Sequence, residues 1–329
     1  MKSSSRKIIG IGETVLDIIF RDDAPLAAVP GGSTFNAMIS LGRTVRRDFP
    51  DIQTVMVTET GDDHVGDIVV SFMEANGVDS SAVTRRAGSQ SHVSLAFLGE
   101  NNDADYEFYK DHAHAGLLPE KVQGIHFGKD DIVLFGSFFA VNPAIRDCTR
   151  SLLTSARRSG ALIYYDVNFR PNHMAELPYV MGNIEENCRL ADFVRGSAED
   201  FSYLFGGLSD GSEIYERHLR PLCPNLILTR GAESVEVFTP EFRFSFPVDR
   251  IQTVSTIGAG DNFNAGFIYG LVAGNVSRDT SCNRAVSGES AGRIALSDGL
   301  WRSLLGSATA FSAAVCRSVF NYVPEGFRL

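Results

Sequence analysis

The stretch Thr253-Val-Ser-Thr-Ile-Gly-Ala-Gly-Asp-Asn-Phe-Asn-Ala-Gly266 carries the densest group of residues able to do chemistry. Gly258-Ala259-Gly260 stands directly before Phe263, Phe267 and Leu271, which are spaced as one face of a helix. Small residues there let a ligand approach the backbone, and the first amides of a helix point outward without partners. Those donors, with the positive end of the helix dipole, suit a phosphate. Asp261 adds a carboxylate beside that anion site. A site that only binds an anion has no use for it. Phosphoryl transfer does, because a group must orient a hydroxyl and finally accept its proton. The plainer reading makes Asp261 the N-cap of the helix behind a glycine-rich turn.

A second glycine pair, Pro30-Gly31-Gly32-Ser33-Thr34-Phe35-Asn36, also leads into a helical run. As a simple strand-to-helix turn it has Ser33 as its N-cap. Asn36 argues otherwise, since an amide in a first turn is a mediocre helix former unless it bonds to something. Other phosphate-binding signatures are missing: no G-x-x-x-x-G-K-[ST] occurs, Phe263 replaces the third glycine of G-x-G-x-x-G, and the protein-kinase motifs are absent. The seven histidines include no ligand-spaced cluster, so no structural metal is expected. His112 and His114, on a strand-to-turn segment, read as solvent-exposed.

These residues need a scaffold, and continuous apolar runs supply it at Ile8 to Ile11, Val55 to Val57, Ile132 to Phe135, Leu162 to Tyr165 and Leu226 to Leu228. Runs that do not alternate suit strands covered on both faces. Helical spacing falls at Phe35 to Val45, Ile68 to Ala75, Ile145 to Ala156, Ile214 to Leu222, Gly258 to Val272, Arg284 to Leu296 and Ala308 to Val319. The order predicts an α/β fold, doubly wound around a mostly parallel sheet. Ser91 to Leu98 and Tyr106 to Lys110 break that order as a hairpin, which Thr14 to Phe20 and Val29 extend into a small sheet. We expect one domain over residues 1–329, with a lid from about 13–31 and 90–112.

With 30 Lys and Arg against 40 Asp and Glu, the net charge of −10 excludes a basic nucleic-acid footprint. The five cysteines are odd in number and form no C-x-x-C pair, which points to reduced thiols. Glu13 and Asp17 interrupt the first apolar run, so it reads as a buried strand and not a signal peptide, and no stretch is long enough to span a membrane. A cytoplasmic protein is expected.

Pro30-Gly-Gly-x-x-x-Asn36 together with Thr256-x-Gly-Ala-Gly-Asp261-x-Phe-x-Ala-Gly266 resembles the two signatures of the ribokinase-like, PfkB-type carbohydrate kinases. The likeness extends through Gly12-Glu-x-x-x-Asp17, Gly61-Asp-Asp-x-x-Gly66, Asp166-Val-Asn-Phe-Arg170, Gly196-Ser-Ala-Glu-Asp200 and Thr229-Arg-Gly231. It implies transfer of the γ-phosphoryl group of ATP, with Mg2+, to a sugar hydroxyl. By that resemblance Asp261 is the general base, kept ionised by the helix start, and Gly258, Ala259 and Gly260 lie in the anion hole. Asp17, Gly31, Gly32, Asn36, Tyr109, Asn168 and Arg170 fall on the sugar, while Ser197, Thr229, Gly231, Thr256 and Glu289 fall on the nucleotide. Glu199 and Asp200 place magnesium through water. The implied partners are ATP and a small sugar, with the lid as the place for a homodimer to form.

The chain departs from the family pattern at three points. Ser255 replaces an Asp that belongs to the monovalent-cation site, which puts potassium activation in doubt. Ser197 replaces the Asn of the magnesium motif, and Glu289 stands for an Asn near the adenine site. Tyr106-Glu-Phe-Tyr-Lys110 is similar to the lid segment of fructokinases and 2-keto-3-deoxygluconate kinases. Lys110, where Arg is usual, loses bidentate carboxylate binding and favours a neutral ketose such as fructose over the keto-acid sugar. A non-catalytic sugar or nucleotide sensor on the same fold is the alternative of a different class.

Overall fold

The computed structural model describes residues 6–99, 104–109, 117, 122–253, 256–278 and 296–317. Eight parallel strands, β1 (Lys7–Ile11), β4 (Gln53–Gly61), β5 (Val78–Asp79), β6 (Val83–Arg86), β9 (Ile132–Gly136), β10 (Leu162–Asp166), β11 (Phe193–Ser197) and β12 (Leu226–Thr229), end in an antiparallel pair, β13 (Ser234–Phe238) and β14 (Arg243–Pro247). The order is β14-β13-β12-β11-β10-β9-β1-β4-β5, with β6 also on β4. A second sheet is ordered β3 (Ala24–Gly31), β2 (Val15–Arg21), β7 (Val93–Leu98), β8 (Ala104–Tyr109).

The apolar runs are continuous because both faces of the large sheet are covered. Helices α1 (Ser33–Asp48), α2 (His64–Ala75), α7 (Ala259–Ala273) and α8 (Asp298–Cys316) bury one face, where Ile8, Leu134 and Tyr164 lie. Helices α3 (Arg146–Ser159), α4 (Leu177–Leu190), α5 (Ala198–Leu204) and α6 (Gly211–Ile214) bury the other against Ile9, Phe135 and Tyr165. The first apolar run of the chain thus becomes a central strand.

Several elements differ from the sequence reading. Phe193–Ser197 reads as no strand because Arg195 and Gly196 break its apolar run. The helix expected over Ile214 to Leu222 is a short α6 followed by one wide turn, Tyr215–Leu219, stopped where Pro221 cannot donate to the helix. Helix α8 starts well before Ala308, because Ser297 caps it by accepting the amide of Leu300 at 3.3 Å. The run Arg284 to Leu296 lies outside the described residues except at its last position. Among the described residues no helix is long and apolar enough to cross a membrane.

Helix α7, which carries Asp261, packs backbone to backbone on α8. A Cβ at Gly266 would stand 2.5 Å from the carbonyl oxygen of Ser307 and 2.7 Å from Cα of Ala308. Alanine in place of a mid-helix glycine ordinarily gains up to about 1 kcal/mol. Overpacking against backbone costs about 1–3 kcal/mol and outweighs that gain. Gly266→Ala is therefore expected to lower the melting temperature; a value at or above wild type would contradict this packing.

Candidate active site

Helix α7 begins on Gly258, its N-cap, whose backbone is left-handed at φ 73 and offers no side-chain cap. The N-cap reading of Asp261 therefore fails. Its carboxylate turns to α1, where the Ser33 hydroxyl donates to Oδ1 at 2.9 Å and the Asn36 amide to Oδ2 at 2.8 Å. Asn36 has the partner that its place in a first turn requires. Ser33 is not the N-cap of α1 either; that is Gly32, at φ 122. One turn on, Ser40 donates to Oδ1 of Asn262 at 2.6 Å, and the Asn262 amide donates to the Gly258 carbonyl at 2.9 Å. Ser33, Asn36 and Ser40, three and four apart, form one stripe of α1 facing the start of α7.

Burial is the largest influence on Asp261 and raises its pKa; the bonds from Asn36 and Ser33 oppose it, Asp166 adds to it and Arg170 lowers it. This corrects the expectation that the helix start decides the matter. Desolvation by the surrounding protein outweighs the neighbouring donors, and the carboxylate is a stronger base than a free one.

The glycine pair before α1 is explained by close contacts. A Cβ at Gly31 would lie 2.2 Å from Oδ2 of Asp17, and one at Gly32 would lie 2.4 Å from the Glu13 carbonyl oxygen. Asp17 accepts a hydrogen bond from the Ser94 hydroxyl. Burial pushes its pKa up to about 7, with Glu13 and Asp261 adding and Ser94 opposing.

In the small sheet Asp17 pairs with Ser94 and Ser94 with Phe108, so these three share a face, and so does Tyr106, two residues from Phe108. Tyr109 lies on the opposite face, 58% exposed, and its hydroxyl donates to Glu107 at 3.2 Å. The expectation that Tyr109 meets the sugar is thus corrected by strand alternation. The rings on the Asp17 side are Phe108 and Tyr106; burial makes the Tyr106 hydroxyl harder to ionise, and it lies in the fields of Asp17, Asp261 and Arg170. At the end of β10, Asn168 is buried at φ 37 and Arg170 is exposed, within electrostatic reach of Asp261.

The residues assigned to the nucleotide and metal are partly engaged within the protein. Ser197 and Asp200 form a capping box on α5: the Asp200 amide donates to Ser197 Oγ at 3.0 Å and the Ser197 amide to Asp200 Oδ2 at 2.7 Å. Asp200 is buried, whereas Glu199 is exposed and accepts from the Tyr203 hydroxyl at 2.7 Å. Thr229 is buried and accepts from Arg195 Nη2 at 2.9 Å. Gly231 is left-handed at φ 54, and the carbonyl of exposed Thr256 accepts from the Ala259 amide at 3.1 Å. Glu289, Ser255, Lys110, His112, His114 and Cys282 lie outside the described residues. Among the described residues no group of three His, Cys, Asp or Glu could hold a metal ion.

The sequence reading missed a buried chain under α7. Arg195 Nη1 donates to Asp166 Oδ1 at 3.0 Å, the Asn264 amide to Asp166 Oδ2 at 2.7 Å, and the Tyr164 hydroxyl to Asn264 Oδ1 at 3.0 Å. The signal available was an arginine inside an otherwise apolar strand. Taken together, helix amides, two carboxylates of raised proton affinity and Arg170 can hold an anion and polarise a hydroxyl.

The pattern of the pfkB family carbohydrate kinases matches residues 5–288. The chain belongs to that family. Fructokinase of Rhizobium leguminosarum bv. trifolii is 29% identical to this kinase over 275 residues, 82% of the chain and 81% of the relative. Fructokinase-1 of Oryza sativa subsp. japonica is 24% identical over 83% of the chain and 85% of its own length. The structure resembles that of a fructokinase from Vibrio cholerae O395 with fructose, ADP and calcium bound, at a TM-score of 0.78, 18% identity and coverage of 98% and 97%. It also resembles the aminoimidazole riboside kinase of Salmonella enterica, with the riboside and an ATP analogue, at a TM-score of 0.77, 22% identity and 97% of each chain. The fold of this kinase is ribokinase-like.

Asp17 allows a test of the electrostatics. Its folded pKa, raised to about 7, lies above the ordinary value of 3.8, so the folded state holds the proton more tightly. The stability this gives is complete below the ordinary pKa and is lost as the pH rises through about 7. Asp17→Asn should therefore raise the melting temperature at pH 8, with the gain fading towards pH 4. A variant whose gain is the same at both ends would contradict the buried charge.

Proposed function

We propose that this kinase transfers the γ-phosphoryl group of ATP, with magnesium, to a hydroxyl of a ketohexose, fructose being the expected substrate. The observation that carries the reading is Asp261, fixed by Ser33 and Asn36 in the first turn of α7. Each carboxylate oxygen accepts one of these bonds and retains a lone pair for a sugar hydroxyl. The amides of Gly258, Gly260 and Asp261, with the dipole of α7, would face the position where charge develops on the transferring group, the Ala259 amide being held by the Thr256 carbonyl at 3.1 Å. Arg170 adds positive charge beside the same carboxylate. In a loose transition state the proton leaves the hydroxyl late, and a carboxylate made more basic by burial accepts it. Asp17 and Tyr106 would meet the sugar from the small sheet, which we take as the lid of one catalytic domain spanning the chain. A sensor has no need of the Asp261 contacts, and their presence favours an enzyme.

The donor set suits a magnesium ion carried mainly by nucleotide phosphates and water, which that ion retains readily. Glu199, facing solvent, would orient its waters, and Asp200 would act through the cap of α5. The metal would neutralise charge on the phosphates. Fructose is favoured by the fructokinase names of the relatives and by the fructose held in the Vibrio structure.

Asp261→Asn should lower kcat by roughly 10²–10⁴-fold while sugar KM stays within about threefold. Turnover within a factor of a few of wild type would remove Asp261 as base. In a coupled assay over fructose, 2-keto-3-deoxygluconate, ribose, adenosine and aminoimidazole riboside, fructose should have the highest kcat/KM. A higher value for any of the others would replace the substrate proposed here.

Potassium should activate little, since Ser255 lacks the charge to hold it. Replacing sodium by potassium at fixed ionic strength should change the initial rate less than about twofold, and Ser255→Asp should create a dependence. A tenfold rise in wild type, about 1.4 kcal/mol in barrier, would refute this.

A further inference from the structure

Arg195 is a charged residue in the interior strand β11, with 7% of its surface exposed. Its surroundings come from four elements. From β10, Asp166 accepts from Nη1 at 3.0 Å, with Tyr164 in electrostatic reach; from β12, Thr229 accepts from Nη2 at 2.9 Å. From α5 comes the negative charge of Asp200. From α7, the ring of Phe263 lies 5.7 Å from Cζ, and Gly260 comes so close that a Cβ would sit 3.2 Å from both Nη atoms. Nε has no hydrogen-bond partner among the described residues.

Fold stability is a poor reason for this arrangement. A buried ion pair with an unsatisfied donor is often no better than an apolar replacement of similar size. What an apolar residue could not supply is a fixed cation against the first turn of α7. We propose that Arg195 is a positioning residue for phosphoryl transfer, bracing Gly260 and balancing Asp166 so that Asp261 faces a neutral pair and not a second bare anion. The inference rests on Asp261 as base. The groups around Asp261 are Ser33 and Asn36 from α1, Asp166 from β10, Arg170 after β10, and Asp17 and Tyr106 from the small sheet. Of these, Asp166 is the one that Arg195 neutralises.

The test uses Arg195→Met, Asp166→Asn and the double variant, read by kcat against pH and by the 13C titration of the Asp261 carboxyl, which needs no turnover. Loss of the cation should move the Asp261 titration, and the acidic limb of kcat, to higher pH by roughly one unit. A unit charge acting over about 10 Å at an effective dielectric constant of about 20 shifts a titration by about that much. Asp166→Asn should move both to lower pH, and the double variant should return near wild type. At pH 7, kcat of Arg195→Met should fall, by up to about tenfold for a shift of one unit, while sugar KM stays within about threefold. An Arg195→Met enzyme that loses kcat with its Asp261 titration unmoved would overturn the proposal. If that variant does not fold, Asp166→Asn decides alone, and an unmoved titration overturns the charge balance. Failure of the wild type to phosphorylate any sugar would instead strike the function proposed above.

Discussion

The Ser33 and Asn36 side chains reach Asp261 across 228 and 225 residues of sequence, and the rest of the site depends on that contact. A carboxylate in a first turn is ordinarily steadied by the amides and dipole of its own helix. Here it turns to a neighbouring helix, so its position depends on how α1 and α7 lie together. That packing is fixed by the Ser40–Asn262 bond, by the strand-to-helix turn at Gly32, and by the tight seating of α7 on α8 at Gly266. Hydrogen bonds to a charged group contribute about 1.5–3 kcal/mol each. Two of them offset part of the cost of burying a carboxylate, and the cores on both faces of the sheet supply the remainder.

Charge is concentrated where the strands end. Asp17, Asp166, Asp200 and Asp261 gather there against Arg195 and Arg170, in a protein of net charge −10. An anionic substrate must therefore be held against the long-range field. Screening reduces that field beyond about 8 Å at physiological salt, leaving nearby groups to decide binding. Helix amides, Arg170 and a metal-bound nucleotide are such groups.

Much of the fold was legible because a strand buried on both faces leaves an unbroken apolar run, as at Ile132 to Phe135. Asp261 and Asn36 were legible because each is costly where it stands unless it bonds to something. Tyr109 was misassigned because the face of an edge strand depends on register, which pairing with β7 fixes and sequence does not print. Arg195 and the bonds that Asp166 accepts were missed for a related reason: they lie in the meeting of strand ends more than 90 residues from α7 or on different strands, with no local pattern. Ser33 shows a subtler failure. The same hydroxyl that caps a helix by rule here serves another helix, and only geometry separates the two roles.

The place of β1 in the middle of the large sheet has a consequence for synthesis. That strand lies between β9 and β4, and the face that Ile8 shares is closed by α7 and α8, made more than 240 residues later. Contacts so distant in sequence carry a large loop-closure cost and form late. A chain emerging from the ribosome must therefore keep Tyr164 and Phe193 without the ring partners Phe267 and Trp301 until these arrive. Until then it lacks Asp261 as well, so a partly made chain has neither that carboxylate nor a closed core and is exposed to aggregation.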